Sequence, residues 1–138
     1  MKSPAIVLDT NAYSEMRRGN SDVVEFLGRT RSVLMTVFVL GELEAGFRGG
    51  NRYEKNKAEL VDFLGIPIVT TVATTQRTAE LFGELKDSLR REGFKIPVDD
   101  IWIAAVAKEY DAEVLTFDEH FQKMTKYGVK VNKLAMPS

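Results

Sequence analysis

Short apolar runs alternate with longer segments of helical periodicity along this chain, and no other feature constrains its fold as strongly. The runs are rich in β-branched residues, which is typical of strands that are buried on both faces of a sheet. Strands separated by helices of this length favour crossover connections and a mostly parallel sheet, so the sequence predicts an α/β fold. The five predicted strands cover residues 5–9, 33–36, 66–69, 113–116 and 129–132.

Helical segments are predicted between and after these strands, where apolar residues recur at helical spacing. No repeat, low-complexity tract or interdomain linker interrupts the pattern, so we expect residues 1–138 to form a single domain. The predicted helices cover residues 11–18, a segment that begins at residue 21, a segment that carries residue 42 and ends at residue 49, and residues 51–64, 74–92, 99–110 and 119–126.

The composition excludes several classes of protein. The chain has no cysteine, which rules out a disulfide framework, thiolate catalysis and a thiolate metal site. No apolar run approaches the ~20 residues of a membrane span. Met1-Lys2-Ser3 leads into only a short apolar run, unlike a signal peptide, and a cytoplasmic protein is the expectation. The single histidine, His120, excludes a histidine-rich zinc site and is expected at the surface.

Four acidic residues occupy places where a carboxylate is costly. Asp9 ends the first predicted strand, Asp118 follows the fourth, Asp100 opens a helix, and Glu42 lies within an apolar helical stretch. A buried carboxylate needs a cation or several hydrogen-bond donors. Taken singly, the aspartates have bland interpretations as turn residues, helix caps or charges at a helix N-terminus, and Asp99 is interpreted as an N-cap. No such explanation covers Glu42.

The predicted fold gathers these acids. Open α/β sheets bind ligands beyond the carboxyl ends of their strands, so Asp9 and Asp118 are expected at one edge. Asp100 and Glu42 lie on apolar helix faces and are expected to point inward for that reason. Their apolar neighbours are Ile103, Ala104 and Ala107 for Asp100, and Val39, Ala45 and Gly46 for Glu42.

Electrostatic repulsion then requires a partner for the acids. Two carboxylates ~4 Å apart repel by ~4 kcal/mol at an effective dielectric of 20, which is comparable with the whole stability of a domain, ~5–15 kcal/mol. The acids are therefore either partly protonated or neutralised by a cation. A set of oxygen ligands favours Mg²⁺ or Mn²⁺.

The four acids lie in the segments Leu8-Asp9-Thr10-Asn11, Gly41-Glu42-Leu43-Glu44-Ala45-Gly46, Asp100-Ile101-Trp102-Ile103-Ala104-Ala105 and Thr116-Phe117-Asp118-Glu119-His120-Phe121. These segments resemble the four motifs of PIN-domain ribonucleases, and especially of the VapC-type toxins of prokaryotic toxin–antitoxin pairs. The resemblance extends from residue 5 to about residue 131, in the family's order and spacing. The residue before the third acid is often Asn in the family and is Asp99 here, so the assignment of Asp100 rests on its spacing to the segment that follows.

The resemblance implies a three-layer fold in which helices flank a five-stranded, mostly parallel sheet of strand order 3-2-1-4-5. It also implies that Asp9, Asp100 and Asp118 hold one or two Mg²⁺ or Mn²⁺ ions, with Glu42 as a further ligand or as the residue that orients the attacking water. These four acids are the predicted catalytic residues. The matching supporting polar positions are Thr10, Asn11 and Thr116.

The implied function is that of a metal-dependent endoribonuclease that hydrolyses RNA, with transfer RNA as one candidate substrate. The family further implies a homodimer and inhibition by a small VapB-type antitoxin, whose peptide would place a basic side chain among the acids. The formal net charge of −1 does not indicate nucleic-acid binding in the bulk charge. Local cations must therefore bind the RNA backbone, and the candidates are Arg17, Arg18, Arg48 and Arg52.

Other classes remain open on the sequence. The closest alternatives are a housekeeping PIN nuclease of RNA processing and a non-catalytic PIN-like module that binds RNA or protein. A haloacid-dehalogenase-type phosphatase would need a second Asp where this chain has Asn11. A response-regulator receiver would carry its acidic pair early in the chain, whereas Asp99-Asp100 comes late.

Overall fold

Five parallel strands form one sheet in the structure, a computed structural model that describes residues 4–136. The strands are β1 (Ile6–Leu8), β2 (Val33–Met35), β3 (Val69–Thr71), β4 (Glu113–Thr116) and β5 (Lys130–Lys133). Their order in the sheet is β3-β2-β1-β4-β5, and the pairings between neighbours are parallel. The predicted α/β class and strand order are confirmed. Met1-Lys2-Ser3, considered above for a signal peptide, lies outside the described residues.

Helices connect the strands and cover the sheet. All three residues of β1 are buried, so the central strand is shielded on both faces, as a three-layer arrangement requires. The last predicted helix forms 3₁₀ turns, and its N-cap is Asp118, whose carboxylate accepts a hydrogen bond from the backbone N–H of His120. The helices are α1 (Thr10–Arg17), α2 (Ser21–Gly28), α3 (Val37–Gly49), α4 (Tyr53–Leu64), α5 (Gln76–Arg91) and α6 (Val98–Glu109), followed by a 3₁₀ segment (Glu119–Tyr127).

The third strand begins three residues later than predicted. The backbone N–H of Val69 donates to the carbonyl of Ile66 at 2.9 Å, so residues 66–68 form a turn and not a strand. Pro67 has no N–H to give to a sheet, and both Ile66 and Ile68 are exposed. The bounds 66–69 were wrong because these isoleucines resemble strand residues, while the chain that pairs with β2 is Val69–Thr71.

Strand order reverses between β1 and β4, which lie side by side with Leu8 opposite Leu115. The chain therefore leaves both strands at the same edge of the sheet, next to Asp9 and Thr116. Helix α6 immediately precedes β4 and packs against both strands, so its N-terminus returns to this edge. The topology thus brings the regions around residues 9, 100 and 118 together at the reversal point, where α/β sheets bind ligands.

Helix α6 is the most deeply buried helix of the described chain. Five of its residues in succession, from Ile103 to Ala107, are buried, as is Ile101. Such a helix is apolar on nearly every side because it lies between the sheet and the neighbouring helices. Its rigid packing is what holds Asp100 in place at its first turn. None of the helices within residues 4–136 has the length and apolar character to span a membrane.

Candidate metal centre and active site

The four acids singled out in the sequence line one open cavity at the carboxyl edge of the sheet. The volume of this acidic cavity is about 480 Å³. Asp9 and Asp100 are buried, whereas Glu42 and Asp118 are half-buried. The remaining lining residues are Thr10, Asn11, Ser14, Glu15, Arg18 and Met136.

Asp9 is held by hydrogen bonds at both carboxylate oxygens. Only 4% of the residue is exposed. As the N-cap of α1, it accepts the backbone N–H of Thr10 through Oδ1 at 2.9 Å. The hydroxyl of Thr116 donates to Oδ2 at 2.7 Å. These two bonds fix the orientation of the carboxylate at the point where β1 ends.

The three supporting polar residues make distinct contacts. The hydroxyl of Thr116, besides donating to Asp9, accepts the backbone N–H of Asp118 at 2.9 Å. The side-chain oxygen of Asn11 accepts the backbone N–H of Phe117 at 3.2 Å and so holds the backbone between Thr116 and Asp118. The hydroxyl of Thr10 donates to Oε1 of Glu42 at 2.8 Å. All three therefore orient an acid or the backbone beside one.

Replacing Thr116 by valine should weaken both folding and divalent-cation binding. The variant keeps the shape of the buried side chain but leaves Oδ2 of Asp9 and the N–H of Asp118 without their partner. We expect a loss of about 1–3 kcal/mol in the free energy of unfolding and metal affinity lower by about 10–100-fold. Urea titration and calorimetric Mn²⁺ binding measure the two effects. Thr71→Val, at an exposed position of β3, is the control; equal losses in both variants would contradict the role given to Thr116.

Glu42 does not lie on the helix face expected from the sequence. The buried residues of α3 are Val39 and Leu43, whereas Ala45 and Gly46 are exposed. Glu42 therefore sits at the border of the buried face and not at its centre. The hydrogen bond from Thr10, and not burial among apolar residues, holds its carboxylate at the cavity.

His120 lies at the surface, as expected, but it also contacts two of the acids, which was not predicted. Its Nδ1 is 3.1 Å from Oδ2 of Asp100 and 3.1 Å from Oδ1 of Asp118, although 43% of its side chain is exposed. Its backbone N–H also donates to Oδ1 of Asp118 at 2.9 Å. One potential ligand atom from each of these three residues lies within 4.8 Å of the others. The imidazole is thus close enough to act as a ligand or as a hydrogen-bond partner of both carboxylates.

Asp99 and Asp100, at the start of α6, lie in different environments. The N-cap of this helix is Pro97, so the interpretation of Asp99 as the N-cap was wrong. Both aspartates belong to the first helical turn, but Asp99 is exposed and only 8% of Asp100 is. Two adjacent acids therefore differ completely in environment, which makes Asp99 a natural control for substitutions of Asp100.

Burial changes the proton affinity of the deepest acids. Loss of hydration raises the pKa of Asp9 from 3.8 to about 6, and the negative charges of Asp100 and Glu42 act in the same direction. The bonds from Thr116 and Thr10 oppose the shift without cancelling it. Burial likewise raises the pKa of Asp100, with the Asp118 charge adding to the effect and the His120 hydrogen bond opposing it. The acids are therefore coupled through one another's charge.

The donor set fits a hard divalent cation. Its ligand atoms are carboxylate oxygens with one imidazole nitrogen nearby, which suits Mg²⁺ or Mn²⁺. Among the described residues, the cation that lines the acidic cavity is Arg18, and it is paired with Glu15 at 2.7 Å. A divalent cation bound here would offset the desolvation that raises the pKa of Asp9.

The four arginines predicted to contact RNA occupy two different places. Arg17, Arg18 and Arg52 line a second cavity of about 470 Å³ between α1 and α4, which we call the basic groove. Arg48 instead bonds to Glu44 at 3.2 Å and lies over the ring of Tyr53. The groove is lined by Tyr13, Ser14, Arg17, Arg18, Arg52 and Lys55, among others, and Arg48 is not one of its lining residues.

Comparison with known proteins assigns the chain to a family. The family model described as "PIN domain" matches residues 6–127, a span that contains all four acids. The chain belongs to the PIN-domain family. This PIN domain is 28% identical over 115 residues to ribonuclease VapC5 of Mycobacterium tuberculosis (strain ATCC 25618 / H37Rv), covering 83% of this chain and 84% of that protein.

Solved structures of toxin–antitoxin proteins share the PIN fold. VapBC2 from Rickettsia felis, bound to a DNA fragment from its promoter, matches with a TM-score of 0.82 at 21% identity, over 94% of this chain and 98% of that one. VapBC-5 from Mycobacterium tuberculosis matches with a TM-score of 0.69 at 24% identity, over 96% and 99%. These matches extend over nearly the whole PIN domain and confirm its architecture.

Two residues at or beside the acidic cavity of this PIN domain were missed in the sequence, Glu15 in its lining and His120 next to two of its acids. Glu15 lines the cavity from α1, together with Asn11, Ser14 and Arg18. Their spacing of three and four residues places them on one face of a helix that follows Asp9, so the signal was present. For His120 the only signal was its place two residues after Asp118, which does not show where the ring points.

Proposed function

We propose that this chain is a Mg²⁺- or Mn²⁺-dependent endoribonuclease and that it acts as the cytoplasmic toxin of a toxin–antitoxin pair. The observation that carries the proposal is the meeting of Asp9, Glu42, Asp100 and Asp118 in one cavity, from four separate parts of the chain. The similarity to a protein named ribonuclease VapC5 supports RNA as the substrate. The likeness to VapBC structures supports the role as a toxin.

The acids of the cavity have distinct roles in this proposal. Asp9, Asp100 and Asp118 hold the divalent cation, and Thr116 keeps Asp9 in the orientation that binding requires. The bound cation supplies a Lewis acid that lowers the pKa of water and stabilises the charge developing on the phosphate and the leaving oxygen. Glu42, held by Thr10, either completes the ligand set or orients the attacking water. His120 steadies the carboxylates of Asp100 and Asp118.

Cleavage of a mixed RNA pool tests the function. We expect the purified chain to cut RNA in Mg²⁺ or Mn²⁺, to stop when a chelator is added, and to resume when the metal is returned in excess. The reason is that the arginine lining the acidic cavity is already paired with Glu15, so a phosphate can approach the remaining acids only with a bound cation between them. Cutting that persists unchanged in the chelator would contradict the mechanism.

The biological role is tested separately. A toxin should arrest growth when its expression is induced in a bacterial host, and Asp9→Asn should remove the arrest. Normal growth with soluble, nuclease-active protein would indicate a housekeeping nuclease. We further propose that the chain forms a homodimer and that a VapB-type antitoxin inhibits it with a peptide that places a basic side chain among the acids. Co-expression with the antitoxin should restore growth.

A further inference from the structure

The basic groove adjoins the acidic cavity directly. Ser14 and Arg18 line both, so the two form one continuous depression across α1. The acidic part contains five carboxylates and one arginine, whereas the groove contains four cations and the single carboxylate of Glu59. A ligand that follows this depression passes from strongly positive to strongly negative surface within one molecule.

Two of the groove cations are available to a ligand. Arg17 is paired with Glu59, and Arg18 with Glu15. Within residues 4–136, Arg52 and Lys55 form no ion pair, and both are exposed at the start of α4. Unpaired cations beside a cavity are suited to binding phosphates, because their charge is not already neutralised by the protein.

The floor of the groove contains a hydrogen-bond donor that has no acceptor. The hydroxyl of Tyr13 is buried and has no partner in the described part of the chain. Only 2% of Tyr13 is exposed. The charged groups that act on it are those of Arg17 and Glu59, both of which line the groove. Buried polar groups normally have a partner, and an anion that enters beside these four cations is an acceptor of the kind that this donor lacks.

We propose that the basic groove binds phosphates of the RNA strand on one side of the scissile bond, through Arg52 and Lys55, with the Tyr13 hydroxyl as a further donor. The inference rests on the proposed nuclease function, which makes RNA the ligand. A phosphodiester strand suits both halves of the depression, because the groove supplies cations and the acidic cavity receives the scissile phosphate with a bound divalent ion. Phe47, half-buried in the groove wall, offers an aromatic face to a base.

Oligonucleotide binding tests the groove without cleavage. The full chain carrying Asp9→Asn is titrated in Mg²⁺ into a fluorescent 2′-O-methyl RNA, and fluorescence anisotropy reports affinity over a range of salt concentrations. Adding Arg52→Ala and Lys55→Ala should weaken binding about tenfold at low salt. The slope of log affinity against log salt should fall by about 1.4, because each phosphate neutralised on a single strand accounts for about 0.7. Unchanged affinity and slope would overturn the proposal.

A second pair of substitutions controls for total charge. Arg31, which precedes β2, and Lys95, in the loop before α6, are both exposed, form no ion pair within residues 4–136, and line neither the basic groove nor the acidic cavity. Arg31→Ala with Lys95→Ala removes the same charge and should leave affinity and slope nearly unchanged. An equal loss in both pairs would overturn the groove in favour of a diffuse effect of charge. Displacement of the RNA by hexaglutamate at equal charge concentration would also overturn it, in favour of a protein ligand.

Tyr13→Phe isolates the orphaned hydroxyl. The substitution removes one buried oxygen and keeps the ring that packs edge-on against Phe63. We expect the midpoint of urea unfolding to stay the same or to rise, since the free protein has no hydrogen bond there to break, while RNA affinity falls severalfold. Unchanged affinity would overturn the assignment of the hydroxyl.

The outcomes separate this inference from the proposed function. RNA cleavage by the parent chain together with unaltered oligonucleotide binding in the Arg52/Lys55 variant would overturn the groove and leave the nuclease standing. Groove-dependent binding by a parent chain that cuts no RNA in any metal would overturn the nuclease and support the groove as an RNA site.

Discussion

Asp9→Asn and Asp100→Asn should each lower the rate of RNA cleavage by about a thousandfold or more. Each substitution removes a buried charge from the acidic cavity, and a metal ion that acts as a Lewis acid contributes several kcal/mol to transition-state stabilisation, where about 4 kcal/mol corresponds to three powers of ten. The asparagine oxygen can still accept the N–H of Thr10, so the cap of α1 and the fold should survive. Single-turnover cleavage of a labelled RNA measures the rate.

The neighbouring Asp99 provides the matched control. It has the same charge and belongs to the same helical turn as Asp100, but it is exposed and does not line the acidic cavity. Asp99→Asn should retain the parent rate within a factor of a few. Loss of activity in Asp99→Asn equal to that in Asp100→Asn, or full activity in Asp9→Asn, would contradict the assignment of the acids. Circular dichroism and urea unfolding check that each variant is folded.

The metal-free protein should lose about 3 kcal/mol of stability as the pH rises from about 4 to about 6, through Asp9 alone. The unfolded chain releases the Asp9 proton near its ordinary pKa of 3.8, whereas the folded chain keeps it until the pKa of about 6. Between these values folding takes up a proton, so rising pH favours the unfolded state. Asp100, whose pKa is also raised, acts in the same direction.

The comparison with Asp9→Asn cancels the contribution of the titrating groups that do not interact with Asp9; those of Asp100 and Glu42, which do, stay part of the measured difference. Urea unfolding of both proteins in a chelator, at several values of pH, gives the difference in their free energies of unfolding. The variant should gain on the parent from about pH 4 upwards and level off above about pH 6. Added Mg²⁺ should then stabilise the parent more than the variant, because only the parent retains the full site. If the difference between the two free energies of unfolding does not vary with pH, burial does not raise the pKa of Asp9.

The same linkage bears on how the protein functions. A cavity of buried acids is unfavourable without a cation and favourable with one, so metal binding and folding stabilise each other. The basic groove does not depend on a ligand for stability in this way, since its exposed cations destabilise the folded free protein little. In the proposed function, the acids serve catalysis whereas Arg52 and Lys55 serve RNA binding, so these two groups of residues can be varied independently although the two regions share Ser14 and Arg18.

Much of the fold was readable from local patterns. Four of the five strands were predicted close to their observed bounds, because a short run rich in β-branched residues between turn-forming residues seldom forms anything other than a buried strand. The predicted bounds of the third strand were wrong because Ile66 and Ile68 are residue types typical of strands, whereas Pro67 and the turn over residues 66–68 keep them out of the sheet. Strand order came from the family resemblance, since periodicity carries no information about which strands are neighbours.

The acids themselves could be named from the sequence, because a carboxylate at the end of a buried strand or inside an apolar helix is costly enough to stand out. Their partners could not. Which hydroxyl donates to Asp9, why Glu42 is held by Thr10 and not by its own helix face, and where the His120 ring lies all depend on side chains distant in sequence. Hydrogen bonds and ion pairs act over a few ångströms between residues up to 107 positions apart, so only the packed chain decides them. The continuity of the basic groove with the acidic cavity is likewise decided by the packed chain, because Ser14 and Arg18 of α1 line both.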